Sequence, residues 1–202
     1  MESSNENIYP IFNQIISKRE KENRLKQNAK CVWLTGLSGS GKTTLALRLE
    51  RELFEKGYLV QILDGDNIRS GISNNLNFSE NDRLENIRRI AEVSKLFINC
   101  GIITINCFIS PTNKIRSEAK KIIGDDNFIG IYINSDLITC EKRDVKGLYK
   151  KAREGKIKDF TGINSPFEAP ENPALIINTS KLSIEKSAQK VLDYILPKIT
   201  NN

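Results

Sequence analysis

Residues 31–44 read Cys31-Val32-Trp33-Leu34-Thr35-Gly36-Leu37-Ser38-Gly39-Ser40-Gly41-Lys42-Thr43-Thr44. An apolar run, Cys31 to Leu34, feeds the pattern Gly36-x-x-x-x-Gly41-Lys42-Thr43. Leu45-Ala46-Leu47-Arg48-Leu49 then continues with helical periodicity. Strand, glycine loop and helix, in that order, form the context in which this pattern signifies a phosphate-binding loop. Gly36, Gly39 and Gly41 let the backbone turn so that successive N–H groups face one anion. A helix opening at Lys42 adds its N-terminal dipole and free donors at the same point. Lys42 is expected to reach the β- and γ-phosphates, and the Thr43 hydroxyl to ligate Mg²⁺. A glycine-rich turn with no ligand would not need the Lys-Thr pair, so the chain is expected to bind a nucleoside triphosphate.

Working outward, a chain of 202 residues suits one domain with a sizeable core. It opens Met1-Glu2-Ser3-Ser4-Asn5-Glu6 without a basic start or apolar stretch, so no leader is read there. No apolar run approaches a membrane span, and the chain reads as soluble and cytoplasmic. Cys31, Cys100, Cys107 and Cys140 form no Cys-x-x-Cys pair. Three of them fall in or beside apolar runs, which suits buried reduced thiols better than ligands. Histidine is absent, which removes His-based triads, His general bases and the common zinc sites. The net charge of +6 is concentrated in two blocks. Residues 18–30 read as a solvated helix face, and residues 144–160 as an anion-gripping lid. Neither block interleaves aromatics into a stacking platform, so no nucleic-acid partner is expected.

In chain order, residues 1–29 are a charged, helical lead-in with a weakly apolar turn from Ile8 to Phe12. Residues 30–202 are expected to form the catalytic domain. The first helix runs from Lys42 to about Lys56, where Gly57 stops it. Tyr58–Leu63 reads as a second strand ending in Asp64-Gly65-Asp66-Asn67-Ile68-Arg69, and polar groups at such strand ends are where open α/β sheets bind ligands. Ser79 suits the N-cap of a long helix ending at Gly101. Leu84, Ile87, Ala91, Ser94 and Phe97 are expected to form its buried face, with Arg83, Asn86 and Arg89 opposite. Ile102–Ile109 is a nearly unbroken apolar strand of the buried, parallel kind, followed by Ser110-Pro111 and a helix from Thr112 to about Ile123. Phe128–Ile133 is a fourth strand, 136–153 reads as helical, and Gly155–Pro173 as a Gly/Pro-rich loop. Ala174–Ile177 is a fifth strand and Ser183 to about Leu196 a closing helix. The fold expected is α/β with three layers: a mainly parallel five-stranded sheet, helices on both faces and a mobile lid at about 144–172.

Several absences narrow the class. A guanine-specific Asn-Lys-x-Asp would be needed for a GTPase, and Asn113-Lys114-Ile115-Arg116 has Arg where the Asp belongs. No apolar strand ends in the acidic pair of motor ATPases and helicases. A small-molecule kinase needs a carboxylate near the acceptor hydroxyl, cations around an anionic acceptor and a lid against water. Asp66, the arginines at 69 and 83, and the 144–172 segment meet these needs. A kinase for another small anion or nucleoside, a nucleic-acid-dependent NTPase and a silent nucleotide-binding module are the rival readings.

Longer stretches carry a specific resemblance. Residues 63–69 (Leu63-Asp64-Gly65-Asp66-Asn67-Ile68-Arg69), 78–93 from Phe78-Ser79-Glu80 to Ala91-Glu92-Val93, and Phe108-Ile109-Ser110-Pro111 are similar to the adenylylsulfate kinase family. So are 143–153 (Arg143-Asp144-Val145-Lys146-Gly147-Leu148-Tyr149 onward) and 160–173, which opens Phe160-Thr161-Gly162-Ile163. The likeness covers roughly residues 30–195. It implies transfer of the ATP γ-phosphoryl group to the 3′-hydroxyl of adenosine 5′-phosphosulfate, with Mg²⁺, in a homodimer. It also implies ATP contacts from Gly36, Leu37, Ser38, Gly39, Ser40, Gly41, Lys42, Thr43 and Thr44, with Arg143 stacking on the ATP adenine.

For the acceptor, the resemblance implies Asp66 as the carboxylate that orients or deprotonates the 3′-hydroxyl; Asp64 leaves the division of labour open. Arg69, Arg83 and Asn86 resemble the groups that hold the phosphosulfate. Phe78 and Phe160 resemble two aromatics that sandwich the acceptor adenine. Asn67, Ile109, Ser110 and Lys146 complete the acceptor site, and Ser110 is expected to position rather than to carry a phosphoryl group. Two departures from the family pattern are mild: Asn134-Ser135-Asp136, and Asn164 in place of the usual Asp, which could alter lid closure.

Overall fold

The computed structural model describes residues 7–201. Residues 1–6, read from the sequence as lacking a leader, and Asn202 lie outside the described residues. Strand β1 (Cys31–Thr35) is buried along its whole length. It lies at the centre of a five-stranded parallel sheet of order β2-β3-β1-β4-β5, where β2 is Val60–Asp64, β3 Ile103–Phe108, β4 Phe128–Asn134 and β5 Leu175–Asn178. Cys31 lies opposite Thr104 of β3 and Phe128 of β4, and the register holds to Thr35.

Alternation along β1 sends side chains to two cores. Val32 and Leu34 pack with Leu45, Leu49 and Leu53 of α2 (Lys42–Glu55) and with Val191, Leu192 and Ile195 of the C-terminal helix Ile184–Ile199. Cys31 and Trp33 face the other way, toward Ile87, Ile90 and Ile98 of the helix Glu80–Asn99 and Ile115 of the helix Asn113–Ile123. Each large side chain buried in this way contributes about 1.5–3 kcal/mol. A third cluster joins Tyr149, Ala152 and Phe160 of the segment read as a lid to Cys140 of the helix before it. Cys31, Cys107 and Cys140 are buried free thiols, and Cys100 is exposed.

The helix starts follow their caps. Ser79 accepts from Asp82 N and Thr112 from Ile115 N, so both helices open where the hydroxyl residues stand. The buried stripe of Glu80–Asn99 is shifted from the expected one: Asn86, Ile87, Ile90, Ala91, Ser94 and Ile98 are buried, with Leu84 and Phe97 only partly so. Asn86 is therefore buried at the edge of the core, not on an opposite exposed face. The 136–153 stretch is two helices, Leu137–Arg143 and Leu148–Arg153, not one. Asp144 breaks it because its carboxylate accepts from Leu148 N and Lys150 N, capping the second helix in place of continuing the first.

A short helix, Gly65–Ser70, follows β2 without a loop, because Asp64 ends the strand and caps the helix through Asp66 N at 3.0 Å. The basic block at 18–30 contains helix α1 (Lys18–Leu25), and three of its lysines are used locally. Lys18 donates to Asn127 Oδ1, Lys21 to Asn99 O and Lys30 to Asp126 O. Gln27 is fully buried and donates to Leu59 O and Gly101 O.

Candidate active site

The carboxyl ends of β1, β2 and β3 open into one cleft of about 1020 Å³, which the segment 143–161 covers from one side. Strand ends of a parallel sheet are the expected ligand position. The volume lies at the upper end of the usual ~300–1,000 Å³ for a small-molecule site, which suits two nucleotides better than one.

The phosphate loop joins β1 to α2. Gly39 has φ +70°, and a Cβ there would come within 2.9 Å of the Cys140 carbonyl oxygen, so the loop tip is packed against the helix Leu137–Arg143. Lys42 is nearly buried and donates to Gly36 O at 2.9 Å and Leu37 O at 2.7 Å. Burial pushes its ammonium down to about 8, partly opposed by Cys107, Cys140 and Asp64. At the start of α2 the Thr43 hydroxyl donates to Asp64 Oδ2 at 2.8 Å.

Asp64 and Asp66, left undivided by the sequence, differ in setting. Asp64 uses one oxygen on the helix cap and the other on Thr43. Asp66 is exposed toward the cleft, and its only side-chain partner among the described residues is the ammonium of Lys146. No group of three or more Asp, Glu or Cys side chains that could hold a metal by itself occurs among the described residues. The Thr43–Asp64 pair is an all-oxygen donor set of one hydroxyl and one carboxylate. That fits Mg²⁺, which keeps waters and takes most of its remaining ligands from phosphates.

The same cleft carries two guanidinium groups and an aromatic ring. Arg69 lies 4.5 Å over the Phe78 ring and Arg83 5.7 Å from it. Arg69 donates to Leu76 O and Asn77 O. Arg83 joins both sides of the cleft, donating to Phe78 O, to Thr161 Oγ1 at 3.1 Å and to Asp159 O at 2.6 Å. Burial, then the neighbouring Arg69, pulls the Arg83 pKa down. Two like charges held side by side in a partly dry wall favour an anion between them. Asn86 lines the same cleft, and its Oδ1 is buried with no hydrogen-bond partner among the described residues.

Ser110 lies at the cleft floor with φ +40°, an uncommon conformation for a residue with a Cβ. Its residue is 2% exposed. The hydroxyl accepts from Trp33 Nε1 at 3.0 Å and donates to Thr35 Oγ1 at 2.9 Å, and Thr35 in turn donates to Ile109 O at 2.7 Å. Arg116, noted in the sequence only because it rules out a guanine motif, donates to Ser110 O at 2.6 Å and Glu168 O at 2.8 Å.

Most of the predicted positions converge. Ser38, Gly39, Gly41, Lys42, Thr43, Thr44 and Arg143 line the cleft, as do Asp66, Arg69, Phe78, Arg83, Asn86, Ile109, Ser110, Lys146 and Phe160. Four do not. Asn67 is exposed on its short helix, outside the cleft lining. Gly36 and Ser40 are buried within the loop and do not line the cleft. Leu37 turns into a separate apolar groove with Gly162 and Phe167. Phe78 and Phe160, expected as a pair, differ sharply: Phe78 is 56% exposed, whereas Phe160 is 9% exposed and packs edge-on to Tyr149 at 4.9 Å. Asn164, the departure from Asp, accepts from Phe160 N at 2.6 Å and so still staples the turn that carries Phe160.

The sequence reading missed Thr179 and Tyr149. Thr179 follows the last strand and donates to Ser40 O at 2.7 Å, while its carbonyl accepts from Arg143 at 2.6 Å. Its place at a strand's carboxyl end was the available signal. Tyr149 donates to Ser38 O at 2.9 Å.

Comparison with known proteins agrees with this geometry. The adenylylsulphate kinase family model matches residues 28–178. The chain is 60% identical over 198 residues to the adenylyl-sulfate kinase of Bacteroides fragilis strain YCH46, covering 98% of each chain. It is 62% identical over 192 residues to that of Phocaeicola vulgatus, covering 95% of this chain and 94% of the relative. Among solved structures, the Mycobacterium tuberculosis APS kinase CysC in complex with AMPPNP and APS superposes with a TM-score of 0.81 at 44% identity. That match covers 84% of this chain and 98% of the other.

Proposed function

The chain belongs to the adenylylsulphate kinase family, and on that premise we propose that it transfers the γ-phosphoryl group of ATP to the 3′-hydroxyl of adenosine 5′-phosphosulfate. The observation that carries this reading is the position of Asp66. Its carboxylate lines one cleft together with the Thr43–Asp64 pair and the Arg69–Phe78–Arg83 group.

In phosphoryl transfer the protein mainly positions the reactants and stabilises charge. The loop from Gly36 to Thr44 and the Lys42 ammonium hold the triphosphate, and Arg143 covers the ATP adenine. Thr43, with Asp64 behind it, would hold a Mg²⁺ ion, whose chemistry there would be to neutralise phosphate charge. Arg69, Arg83 and Asn86 hold the phosphosulfate, and Phe78 with Phe160 flanks the acceptor base. Asp66 orients the 3′-hydroxyl and takes its proton as the oxygen attacks. Lys146, paired with that carboxylate, also contacts the acceptor. Ile109 and Ser110 shape the floor, and with its hydroxyl engaged by Trp33 and Thr35, Ser110 is a positioning residue and not a phosphoryl carrier. Asn67 supports this wall through its backbone: its carbonyl accepts from Ser70 Oγ.

The catalytic domain spans residues 30–202 with its lid at about 144–172, and residues 1–29 form a lead-in. The enzyme works as a homodimer in the cytoplasm without a nucleic-acid partner; no helix among the described residues is long and apolar enough to cross a membrane. Incubation with γ-labelled ATP and adenosine 5′-phosphosulfate tests the reading. Label should appear on the acceptor nucleotide and be released by a 3′-nucleotidase. Label released only as inorganic phosphate would contradict it.

A further inference from the structure

Tyr149 touches both the phosphate loop and Phe160. It lies in the helix Leu148–Arg153 and is 2% exposed. Its hydroxyl donates to Ser38 O at 2.9 Å. Its ring meets Phe160 edge-on, with centroids 4.9 Å apart and planes at 81°, a favoured arrangement of aromatic quadrupoles.

Neither end of this contact is free to move alone. The loop tip at Gly39 rests on the Cys140 backbone of the preceding helix Leu137–Arg143, and Cys140 packs in one cluster with Tyr149 and Phe160. At the other end, Asn164 accepts from Phe160 N, and Arg83 bonds the residues on both sides, Asp159 through its carbonyl and Thr161 through its hydroxyl. Arg83 also bonds Phe78 O. A continuous set of short contacts thus runs from the Ser38 peptide through Tyr149 and Phe160 to Arg83 and Phe78. A triphosphate held by the loop's N–H groups fixes the peptide planes of the loop, and so the direction of the Ser38 carbonyl. That carbonyl sets the Tyr149 hydroxyl, and the ring sets Phe160.

We infer that Tyr149 is a positioning residue that couples the two substrate sites, so that ATP in the phosphate loop tightens the acceptor pocket through Phe160. The inference rests on the reading of Phe78 and Phe160 as the acceptor-base pocket. Coupling of this kind is reciprocal: the factor by which one ligand strengthens the other is the same in both directions. A buried tyrosine with a merely structural role would weaken one or both sites and leave that factor unchanged.

The test measures the dissociation constant of adenosine 5′-phosphosulfate by calorimetry, with Mg²⁺, in the absence and presence of a saturating non-hydrolysable ATP analogue. It uses the full chain as wild type, Tyr149→Phe, Phe160→Leu and the double variant. Wild type should bind the acceptor more tightly with the analogue present. Tyr149→Phe removes one oxygen and keeps the ring. It should reduce that ratio at least about threefold, the loss expected for one hydrogen bond. Phe160→Leu should reduce it too, and the double variant should lose little more, because both changes break one path. Phe160→Leu probes the same path with the hydroxyl intact, should Tyr149→Phe fold poorly.

A wild-type ratio of one, or an undiminished ratio in Tyr149→Phe or in Phe160→Leu, would overturn the inference while leaving the acceptor assignment standing. Wild type that neither binds nor phosphorylates adenosine 5′-phosphosulfate would instead overturn the proposed function, and the inference with it.

Discussion

The Thr43 hydroxyl donates to Asp64 Oδ2 at 2.8 Å, while Oδ1 of the same carboxylate caps the following helix through Asp66 N. Two carboxylates two residues apart are thereby given different settings: Asp64 is occupied beside the phosphate loop, and Asp66 lines the cleft paired with Lys146.

Substitution should separate the two roles. Asp66→Ala should lower turnover by about 10²–10⁴-fold, the usual contribution of a positioned general base, with affinity for a non-hydrolysable ATP analogue kept within about twofold. Asp64→Asn keeps a good N-cap but loses the charge behind Thr43. It should raise the Mg²⁺ concentration for half-maximal rate about tenfold or more. Steady-state rates at varied Mg²⁺ check both, and near-normal turnover of Asp66→Ala would remove Asp66 from the mechanism.

Ser110→Ala should keep measurable transfer but lose about 1–3 kcal/mol of stability, because Trp33 Nε1 is left buried without an acceptor. Urea unfolding and an activity assay on the same preparation decide this. Complete loss of transfer, together with a phosphoserine detected by mass spectrometry on wild type, would contradict the positioning role.

The depressed Lys42 pKa, about 8, predicts a pH dependence with a definite sign. Below pH 8 the ammonium is present in the free protein, and affinity for the triphosphate should be flat in this term. As pH rises above 8 the free protein sheds that proton, and binding must take it up again, so affinity should fall by up to about tenfold per pH unit. Lys42→Arg keeps its charge and should abolish this inflection. For folding the sign is opposite. The unfolded lysine titrates near 10.4, so the unfolded chain binds more protons between pH 8 and about 10.4. This group's contribution to stability therefore rises with pH across that window and is unchanged below it.

The two aromatics of the proposed acceptor pocket should respond differently. Phe78 is largely exposed, so Phe78→Ala should leave the unfolding temperature nearly unchanged. It should weaken acceptor binding by about 1–3 kcal/mol, the usual worth of one base stack. Phe160 is packed in the lid cluster with Tyr149 and Cys140. Phe160→Ala should both weaken acceptor binding and destabilise the segment, seen as faster proteolysis within residues 144–172. Equal thermal stability of the two variants would argue against this difference.

Much of the architecture was legible because its signals are local. Unbroken apolar runs marked β1 and β3, and Ser79, Thr112 and Ser183 marked helix starts that the structure keeps. The glycine and lysine spacing of residues 36–43 placed the phosphate loop. What was not legible depends on side chains competing for backbone partners. Asp144 could have continued a helix and instead caps the next one, and Asp64 begins a helix where a strand end alone was read. Asn86 falls within the buried stripe because the helix is rotated to meet Ile87, Ile90 and Ile98 against the sheet, which periodicity alone did not resolve. Arg116 and Tyr149 act across 52 and 111 residues of sequence, and no local pattern announces such partners.

The most direct measurement is ADP release with Mg-ATP alone and with adenosine 5′-phosphosulfate added, the products being separated by chromatography. The account predicts little ADP without acceptor, and with it one 3′-phosphorylated nucleotide for each ADP formed. ADP release that is indifferent to the acceptor, or that occurs without the phosphorylated nucleotide, would contradict it.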